Sequence, residues 1–279
     1  MELKSEQIAA LKKVEIDILK EFIRVCDSLN LKYYVLEGTL LGAVRHKGFI
    51  PWDDDIDVGM PRADYERFCF EGQKLLPEHY FIQTINTERD YRANFAKIRD
   101  SRTTFIETSV RHCNINHGIY IDIFPLDDCF DDEHAHKRRC RSLSLILMTL
   151  RIIKGFYVPN KKKTIVRRLA ELLSVIRYPT IRGALLAREK WMKALPESNT
   201  YANYGSEWWW HLPKEYFGEG EYLEFEGIRV RAPKDFDKCL THIYGDYMKL
   251  PPEEERVAHH FADVIDTTKP YTEYKTVTK

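Results

Sequence analysis

Apolar residues near the N-terminus recur every three or four positions, which is the spacing of one face of an α-helix. They are Ile8, Leu11, Ile18, Leu19, Phe22 and Val25. The pattern predicts an opening amphipathic helix that ends near Asn30. After it, Tyr33–Leu36 has the continuous apolar character of a buried strand, and Leu40–Arg45 has the character of a short helix.

Helices and strands continue to alternate along the next part of the chain. A helix is predicted from Asp64 to Leu76, where Pro77 closes it. Short strands are predicted at Phe81–Thr84, Phe95–Arg99, Thr103–Glu107 and Ile119–Phe124. This order of elements predicts an α/β fold with a mixed sheet.

The remainder of the chain changes pattern twice. Residues from His134 to about Ala194 favour helix, with few strand signals. A hairpin follows, with strands at Tyr222–Phe225 and Ile228–Arg231, and then a helix from Asp235 to Tyr244. These changes predict three parts: a core over 1–133, a basic helical subdomain over 134–200, and a C-terminal segment over 201–279 that completes the cleft of the core.

Four carboxylates stand within the five residues Asp53-Asp54-Asp55-Ile56-Asp57, directly after Pro51-Trp52. Ionised carboxylates this close repel one another, so a fold keeps them together when a cation neutralises them. Alternation of Asp55 and Asp57 with apolar residues predicts that both project from one side of a strand. Such an oxygen pair suits Mg²⁺ or Mn²⁺. The alternative is an acidic surface turn.

Two further features point to the same site. Asp122 lies in the middle of the apolar run Ile119–Phe124, where a carboxylate is costly unless it is paired or bound to a cation. It completes a three-carboxylate site if its strand lies beside the acidic one, and its alternative role is to pair with an Arg or Lys. Gly38-Thr39, between a strand and a helix, suits the binding of a phosphate by backbone N–H groups.

The stretch Glu37–Met60 resembles the signature of the LicD family, whose fold is that of the nucleotidyltransferases. The resemblance continues through Phe95–Asp100 and Ile121–Asp127, and it returns in Tyr222–Pro233 and Leu240–Pro252. It implies an α/β nucleotidyltransferase-like core with a helical, basic subdomain. Fukutin-related proteins share the signature.

The resemblance also implies a reaction. A substituted phosphate, phosphocholine in the first instance, would pass from CDP-choline to a sugar hydroxyl of a lipopolysaccharide- or teichoic-acid-type glycan, with release of CMP. Asp55, Asp57 and Asp122 are the expected catalytic residues, and with Asp53 they are the expected metal ligands. The alternatives are transfer of ribitol or glycerol phosphate, a non-catalytic nucleotide- or glycan-binding module, and a nucleotidyltransferase that releases pyrophosphate.

Cationic and aromatic residues complete the expected site. The donor phosphates and nucleotide are expected to contact Gly38, Thr39, Arg45, His46, Lys47, Lys97 and Arg99. For the cations the alternative role is to balance the acidic run. A quaternary ammonium head group needs aromatic faces, and the candidates are Trp52, Tyr204, Trp208, Trp209 and Trp210. Their alternative role is a hydrophobic plug.

Charge and cysteine content limit the location and the partners. Lys plus Arg and Asp plus Glu number 43 each, so net charge does not suggest a nucleic-acid partner.

Residues His134–Ala170 hold eleven basic side chains, Lys161–Lys163 among them, and no acid. This stretch suits contact with an anionic membrane and a lipid-linked acceptor, or else a helical subdomain packed on the core. Six cysteines without a Cys-x-x-Cys pair favour reduced thiols and a cytoplasmic location. The basic stretch adds the expectation of a peripheral position at the inner face of the plasma membrane.

Overall fold

A computed structural model of the chain describes residues 5–130, 132–153, 165–205, 210–256 and 261–274. The helices are α1 (Ser5–Leu29), α2 (Glu37–His46), α3 (Arg62–Glu71), α4 (Glu133–Ile153), α5 (Ile165–Arg177), α6 (Ile181–Lys193) and α7 (Phe236–Tyr244). The strands are β1 (Tyr34–Val35), β2 (Asp57–Pro61), β3 (Tyr80–Gln83), β4 (Ala96–Asp100), β5 (Thr104–Glu107), β6 (Ile119–Cys129), β7 (Thr200–Asn203), β8 (His211–Pro213), β9 (Glu221–Phe225), β10 (Ile228–Ala232) and β11 (Ala262–Asp266). The predicted mixed α/β fold is confirmed.

The long strand β6 organises the central sheet. Its first half lies between β2 and β4, in the order β1-β2-β6-β4-β3, and its second half pairs with β7, which continues to β8. β2 and β6 run parallel, whereas the other pairs are antiparallel. In this register Asp57 is opposite Asp122, and Asp122 is opposite Lys97. Side chains opposite one another in a sheet share a face, so these three form a row across it.

Two hydrophobic clusters hold the helices on this sheet. The larger one joins α1, the first strands and the C-terminal hairpin, with Phe22, Ile121 and Phe225 fully buried. The smaller one lies between α4, α6 and the second half of β6, and it contains Leu143, Ile146, Leu150, Leu185 and Tyr204. The predicted division into three parts stays a prediction.

The C-terminal hairpin and helix form as the sequence predicts. Ile228 of β10 is opposite Phe225 of β9, and the two turn residues Glu226 and Gly227 have φ of 49° and 75°. Two positive φ values are typical of the two-residue turn that matches the twist of a hairpin. After α7, Gly245 adopts φ of 68°, a conformation that favours glycine. Both predicted elements are confirmed.

The described residues contain neither a disulfide nor a helix that could cross a membrane. All six cysteines fall within the described residues, and none forms a disulfide there. Across the described ranges, no helix is both long enough and apolar enough to cross a bilayer.

A buried ion-pair network ties α3 to the sheet and to α6. Arg62 makes two parallel bonds to Asp127 of β6, from Nε to Oδ1 at 2.6 Å and from Nη2 to Oδ2 at 2.7 Å. Its Nη1 donates to Oε1 of Glu189 on α6 at 3.0 Å. Bidentate geometry of this kind gives the guanidinium–carboxylate pair both strength and direction.

We expect Arg62→Leu to lower the free energy of unfolding by about 3–5 kcal/mol, because it leaves Asp127 buried without its counter-charge. Arg67→Leu on the same helix is the matched control. Arg67 pairs with Glu71 at the surface, where such pairs contribute less than about 1 kcal/mol. Urea unfolding followed by circular dichroism measures both changes, and equal losses in the two variants would contradict the structural role of Arg62.

Candidate active site

Asp57 stands at the first position of β2 and is held from both sides of its backbone. Its N–H donates to the hydroxyl of Thr39 at 2.8 Å, and its carbonyl accepts the N–H of Leu36 at 3.0 Å. Burial, together with the negative charges of Asp55, Glu37 and Asp122, raises the pKa of Asp57 well above its ordinary value. Thr39 thus positions Asp57 through the backbone.

Asp122 is paired with Lys97 across the sheet. Nζ of Lys97 lies 2.9 Å from Oδ1 of Asp122, and 3.3 Å from the centre of the Tyr120 ring. Within the described part of the chain this oxygen has no well-directed hydrogen bond, so its contact with Lys97 is ionic. The ion pair is the alternative role predicted for Asp122. It also places Lys97 beside the carboxylates, where a phosphate would meet it.

Asp53, Asp54 and Asp55 converge in the segment before β2. One oxygen from each lies within 4.8 Å of the others, and among the described residues no other three His, Cys, Asp or Glu side chains meet that distance. The strand begins at Asp57, so the predicted alternation through Asp55 is wrong. A turn in which the N–H of Asp53 donates to the carbonyl of Ile50 (2.9 Å) leads into residues 53–56, which have no regular secondary structure. Asp54 therefore joins the group, and Asp57 and Asp122 lie next to it on the strands.

The first turn of α2 faces this acid group. A Cβ on Gly38 would lie 2.4 Å from Oδ2 of Asp53, so only glycine lets that carboxylate approach the helix. Glu37, beside it, adopts φ of 45°, and its Oε1 accepts bonds from Nε1 of Trp210 (3.0 Å) and Nδ2 of Asn203 (2.9 Å). A positive φ in a residue with a side chain is a strained conformation, and outside turns and helix ends such residues cluster at functional sites.

Two residues of this neighbourhood escaped the sequence reasoning. Burial raises the pKa of Glu37, and the charge of Asp122 adds to the shift, so the two carboxylates are close. Tyr244, at the end of α7, has its pKa raised by burial and by the charges of Glu37 and Asp57. One sequence feature could have indicated Glu37: it is a charged residue next to Gly38, between two apolar elements. Tyr244 had none.

The cations expected around the donor are spread over different places. Arg45 donates to the carbonyl of Tyr247 (2.7 Å) and to Nε2 of His46 (3.0 Å), and exposed Lys47 is 3.8 Å from Glu224. These residues end α2, and a helical rise of about 1.5 Å per residue puts their backbones about 10 Å from Gly38. The structure does not bring them to the acid group, and their contact with a donor stays a prediction.

Arg99 is placed differently from its predicted role. It is fully buried, and it donates to Gln83 (2.7 Å), to the carbonyl of Gly118 (2.8 Å) and to Glu107 (3.1 Å). All three of its nitrogens are thus used inside the protein. The structure contradicts phosphate binding by Arg99, because its guanidinium holds β4 to its surroundings.

The aromatic residues expected at the head group do not lie together in one place. Tyr204 is buried in the smaller hydrophobic cluster, where its hydroxyl contacts Cys129 at 3.3 Å, so the structure contradicts its role at a head group. Trp210 lies at the site, but its N–H is used to orient Glu37. The Trp52 ring faces Arg256 at 5.5 Å. Trp208 and Trp209 lie outside the described residues.

The donor set fits a hard divalent cation. Carboxylate oxygens from Asp53, Asp54 and Asp55 lie close enough to share one ion, and carboxylates are the ligands that Mg²⁺ and Mn²⁺ prefer. Asp122 lies opposite Asp57 on the neighbouring strand, with its Oδ1 paired to Lys97. A cation here would offset the repulsion that raises the pKa of Asp57.

Known proteins and one family profile are similar to this chain in sequence. A family profile described as "LicD/FKTN/FKRP, nucleotidyltransferase domain" matches residues 30–140. Lipopolysaccharide cholinephosphotransferase LicD of Haemophilus influenzae is 32% identical over 267 residues, which is 94% of this chain and 97% of that protein. Human ribitol 5-phosphate transferase FKRP is 40% identical over 42 residues, 15% of this chain and 8% of that protein.

The mixed sheet and the acid-lined edge thus define a nucleotidyltransferase-type domain. The chain belongs to the LicD family, with a cholinephosphotransferase as a homologue over nearly its full length. Both the predicted fold and the predicted family are confirmed.

Replacing Gly38 by Ala should weaken Mn²⁺ binding about tenfold or more, since the new methyl group displaces the Asp53 carboxylate. Helix propensity by itself favours the alanine by about 0.8–1 kcal/mol, so the fold should persist. Isothermal titration calorimetry measures the affinity. Gly183→Ala, in the first turn of α6, is the control and should bind Mn²⁺ as the wild type does. Unchanged affinity in Gly38→Ala would remove Asp53 from the ligand set.

Proposed function

We propose that this protein transfers phosphocholine from CDP-choline to a sugar hydroxyl of a lipopolysaccharide, releasing CMP, and that it needs Mg²⁺ or Mn²⁺. The observation that carries the proposal is the similarity, over nearly the whole chain, to a lipopolysaccharide cholinephosphotransferase. The convergence of acids directly before β2 supports it, since these acids can hold the positive centre that a diphosphate needs.

The proposed role of each residue follows from its position in the site. Asp55 and Asp57, with Asp53 and Asp54 beside them, would hold the cation, which supplies positive charge against the donor diphosphate. Lys97 would contact the phosphoryl group that is transferred, because its ammonium lies at the same row of side chains.

Asp122 is the proposed general base. It would accept the proton of the sugar hydroxyl while that oxygen forms its bond to phosphorus and the bond from phosphorus to the CMP oxygen breaks. The ion pair of its Oδ1 with Nζ of Lys97, at 2.9 Å, holds this carboxylate in position. Glu37 and Tyr244 border the same space and are placed to orient the substrates.

A second candidate is transfer of ribitol or glycerol phosphate from the corresponding CDP-polyol. The short similarity to a ribitol 5-phosphate transferase favours it, but that similarity spans 42 residues against 267 for the choline enzyme. The acidic site serves either donor, because the diphosphate is common to both. A teichoic-acid-type acceptor is the corresponding alternative to lipopolysaccharide.

We expect purified protein to release CMP from CDP-choline in the presence of lipopolysaccharide and Mg²⁺, and EDTA to abolish the release. Asp55→Asn and Asp57→Asn should each lower kcat by about 10³-fold or more, since each removes charge that the transition state requires. Asp90→Asn, an exposed acid away from the site, is the control. Liquid chromatography of the nucleotides gives the rates.

The products of the same reaction separate the alternatives. Faster CMP release from CDP-ribitol or CDP-glycerol would replace choline by a polyol. Pyrophosphate in place of CMP would indicate a nucleotidyltransferase. Donor binding without turnover, seen as a raised melting temperature with no CMP, would indicate a binding module.

Contact with an anionic membrane is a further part of the proposal, and α5 supports it. Leu169, Leu172, Leu173 and Ile176 lie on one face of this helix and are 57%, 58%, 53% and 67% exposed. Residues 134–170, which run into α5, carry the eleven basic side chains and no acid, although Lys154 and Lys161–Lys163 lie outside the described residues. An apolar helix face next to cations is typical of a segment that lies on anionic lipid.

The helix α4 does not take this role. Leu143, Ile146 and Leu150 of α4 are buried in the smaller cluster, so its apolar side packs inside the protein. That packing is the alternative expected for this stretch. The inner face of the plasma membrane, and with it a cytoplasmic location and a lipid-linked acceptor, stays a prediction.

The double variant Leu172→Gln/Leu173→Gln should lower co-sedimentation with vesicles of phosphatidylcholine and phosphatidylglycerol about tenfold or more. Each leucine that leaves the lipid forfeits about 1.5–3 kcal/mol. Phe70→Gln, which changes an exposed aromatic on α3, should sediment as the wild type does. Equal sedimentation of the double variant contradicts the membrane contact, as does dimerisation through this face without vesicle binding.

A further inference from the structure

Glu37 opens α2 next to the acid group, and hydrogen bonds of its neighbours fix it there. The N–H of Leu36, the residue before it, donates to the carbonyl of Asp57 at 3.0 Å. Gly38, the residue after it, has no side chain, and this lets the Asp53 carboxylate approach the start of the helix. The backbone of Glu37 therefore lies between two contacts with the acidic segment.

The carboxylate of Glu37 is oriented by two neutral donors. Its Oε1 accepts hydrogen bonds from Nε1 of Trp210 at 3.0 Å and from Nδ2 of Asn203 at 2.9 Å. Glu37 is partly exposed, and its Oε2 makes no hydrogen bond to the described residues. Among those residues, no Lys, Arg or His forms an ion pair with it either. The site thus holds a carboxylate in a fixed orientation without a positive partner.

The two donors are themselves held in place. The N–H of Asn203 donates to the carbonyl of Trp210 at 3.2 Å, and its Oδ1 accepts the N–H of Gly205 at 3.0 Å. The Trp210 ring stacks on Phe217, with ring centres 6.2 Å apart. Asn203 belongs to β7, which pairs with the central strand β6. The orientation of the Glu37 carboxylate is therefore set by the sheet, as is typical of a group that binds a ligand.

The chemistry of the proposed donor places a positive charge in this neighbourhood. In CDP-choline two carbons link the phosphate ester oxygen to the quaternary nitrogen, so a diphosphate held at the acid group keeps the ammonium close to that group. A quaternary ammonium has no hydrogen to donate, and it is recognised by negative charge and by aromatic faces. Glu37 supplies the charge, and the indole of Trp210 borders it.

We propose that Glu37 determines specificity for the donor head group, with its carboxylate contacting the quaternary ammonium of choline. The inference rests on the proposed function and deepens it, because it gives a physical reason for preferring a cationic head group to a neutral polyol. A polyol would leave the Glu37 carboxylate without a counter-charge. A bound cation favours the ionised carboxylate, against the effect of burial, which raises the pKa of Glu37.

The test compares two donors of the same shape, CDP-choline and its neutral analogue in which carbon replaces the quaternary nitrogen. We expect the wild type, with Mg²⁺ and without acceptor, to bind CDP-choline about tenfold or more tightly than the analogue, by isothermal titration calorimetry. Glu37→Gln should remove this preference and leave the Kd for plain CDP unchanged. Glutamine keeps an oxygen that accepts from Trp210 and Asn203, so the substitution removes only the charge.

Glu88→Gln is the matched control. Glu88 is also a carboxylate held by neutral donors, since it accepts the N–H of Asn116 at 2.7 Å and the side-chain amide of Gln83. It follows β3, at the edge of the sheet, and its variant should keep the wild-type preference for CDP-choline.

A second variant covers the case in which Glu37→Gln does not fold. Trp210→Phe keeps an aromatic ring and the charge of Glu37 but removes one of the two hydrogen bonds that orient the carboxylate. It should lower the preference for CDP-choline over the neutral analogue several-fold. An unchanged preference in Trp210→Phe would then overturn the inference.

The outcomes separate this inference from the proposed function. If Glu37→Gln keeps the wild-type preference, the role of Glu37 is wrong and the cholinephosphotransferase stands. If Glu37→Gln loses affinity for plain CDP as strongly as for CDP-choline, Glu37 supports the whole site and the inference is also wrong. If the wild type does not distinguish CDP-choline from the neutral analogue, or prefers CDP-ribitol, the choline donor is wrong and the role of Glu37 falls with it.

Discussion

Repulsion among carboxylates held out of water is the constraint around which this protein is built. Asp53, Asp54, Asp55 and Asp57 lie within five residues, and Asp122 is opposite Asp57 on the neighbouring strand. Like charges at such distances oppose folding unless positive charge is supplied. The described cations beside them are Lys12 and Lys97, each of which is also engaged with other groups. A site that costs stability in this way is typical of one that binds a cationic partner.

The backbone supplies the rigidity that keeps these groups together. Parallel pairing of β2 with β6 fixes Asp57 opposite Asp122, and antiparallel pairing of β6 with β4 adds Lys97 to the same row. Thr39 ties the start of α2 to the backbone of Asp57, and Gly38 leaves room for Asp53. Asp57 and Asp122 are therefore positioned by strands, which hold side chains more accurately than loops, whereas Asp53, Asp54 and Asp55 lie in the irregular segment before β2. The ion pair of Arg62 with Asp127 anchors the other half of β6.

Features that depend on local pattern were predictable from the sequence. The period of apolar residues predicts α1, and the turn residues Glu226-Gly227 predict the hairpin. The acids that follow one another from Asp53 predict a charged site. Roles that depend on distant neighbours were not predictable in this way. Arg99 has the charge expected of a phosphate ligand, yet it is enclosed by Gln83, Gly118 and Glu107, which come from three other parts of the chain. The aromatic ring of Tyr204 suits a quaternary ammonium head group, but packing places this residue in the smaller hydrophobic cluster.

The sequence by itself determined the family, the mixed α/β fold and the acidic segment at the centre of the site, because contiguous residues carry each of these signals. Only the tertiary structure decided which acids converge. It moved the start of β2 to Asp57, gathered Asp54 with its neighbours, and brought Glu37 and Tyr244 into the same neighbourhood. The physical reason is that the energy between two charges depends on their distance in space. For residues far apart in the sequence, that distance is known only once the register of the strands is set.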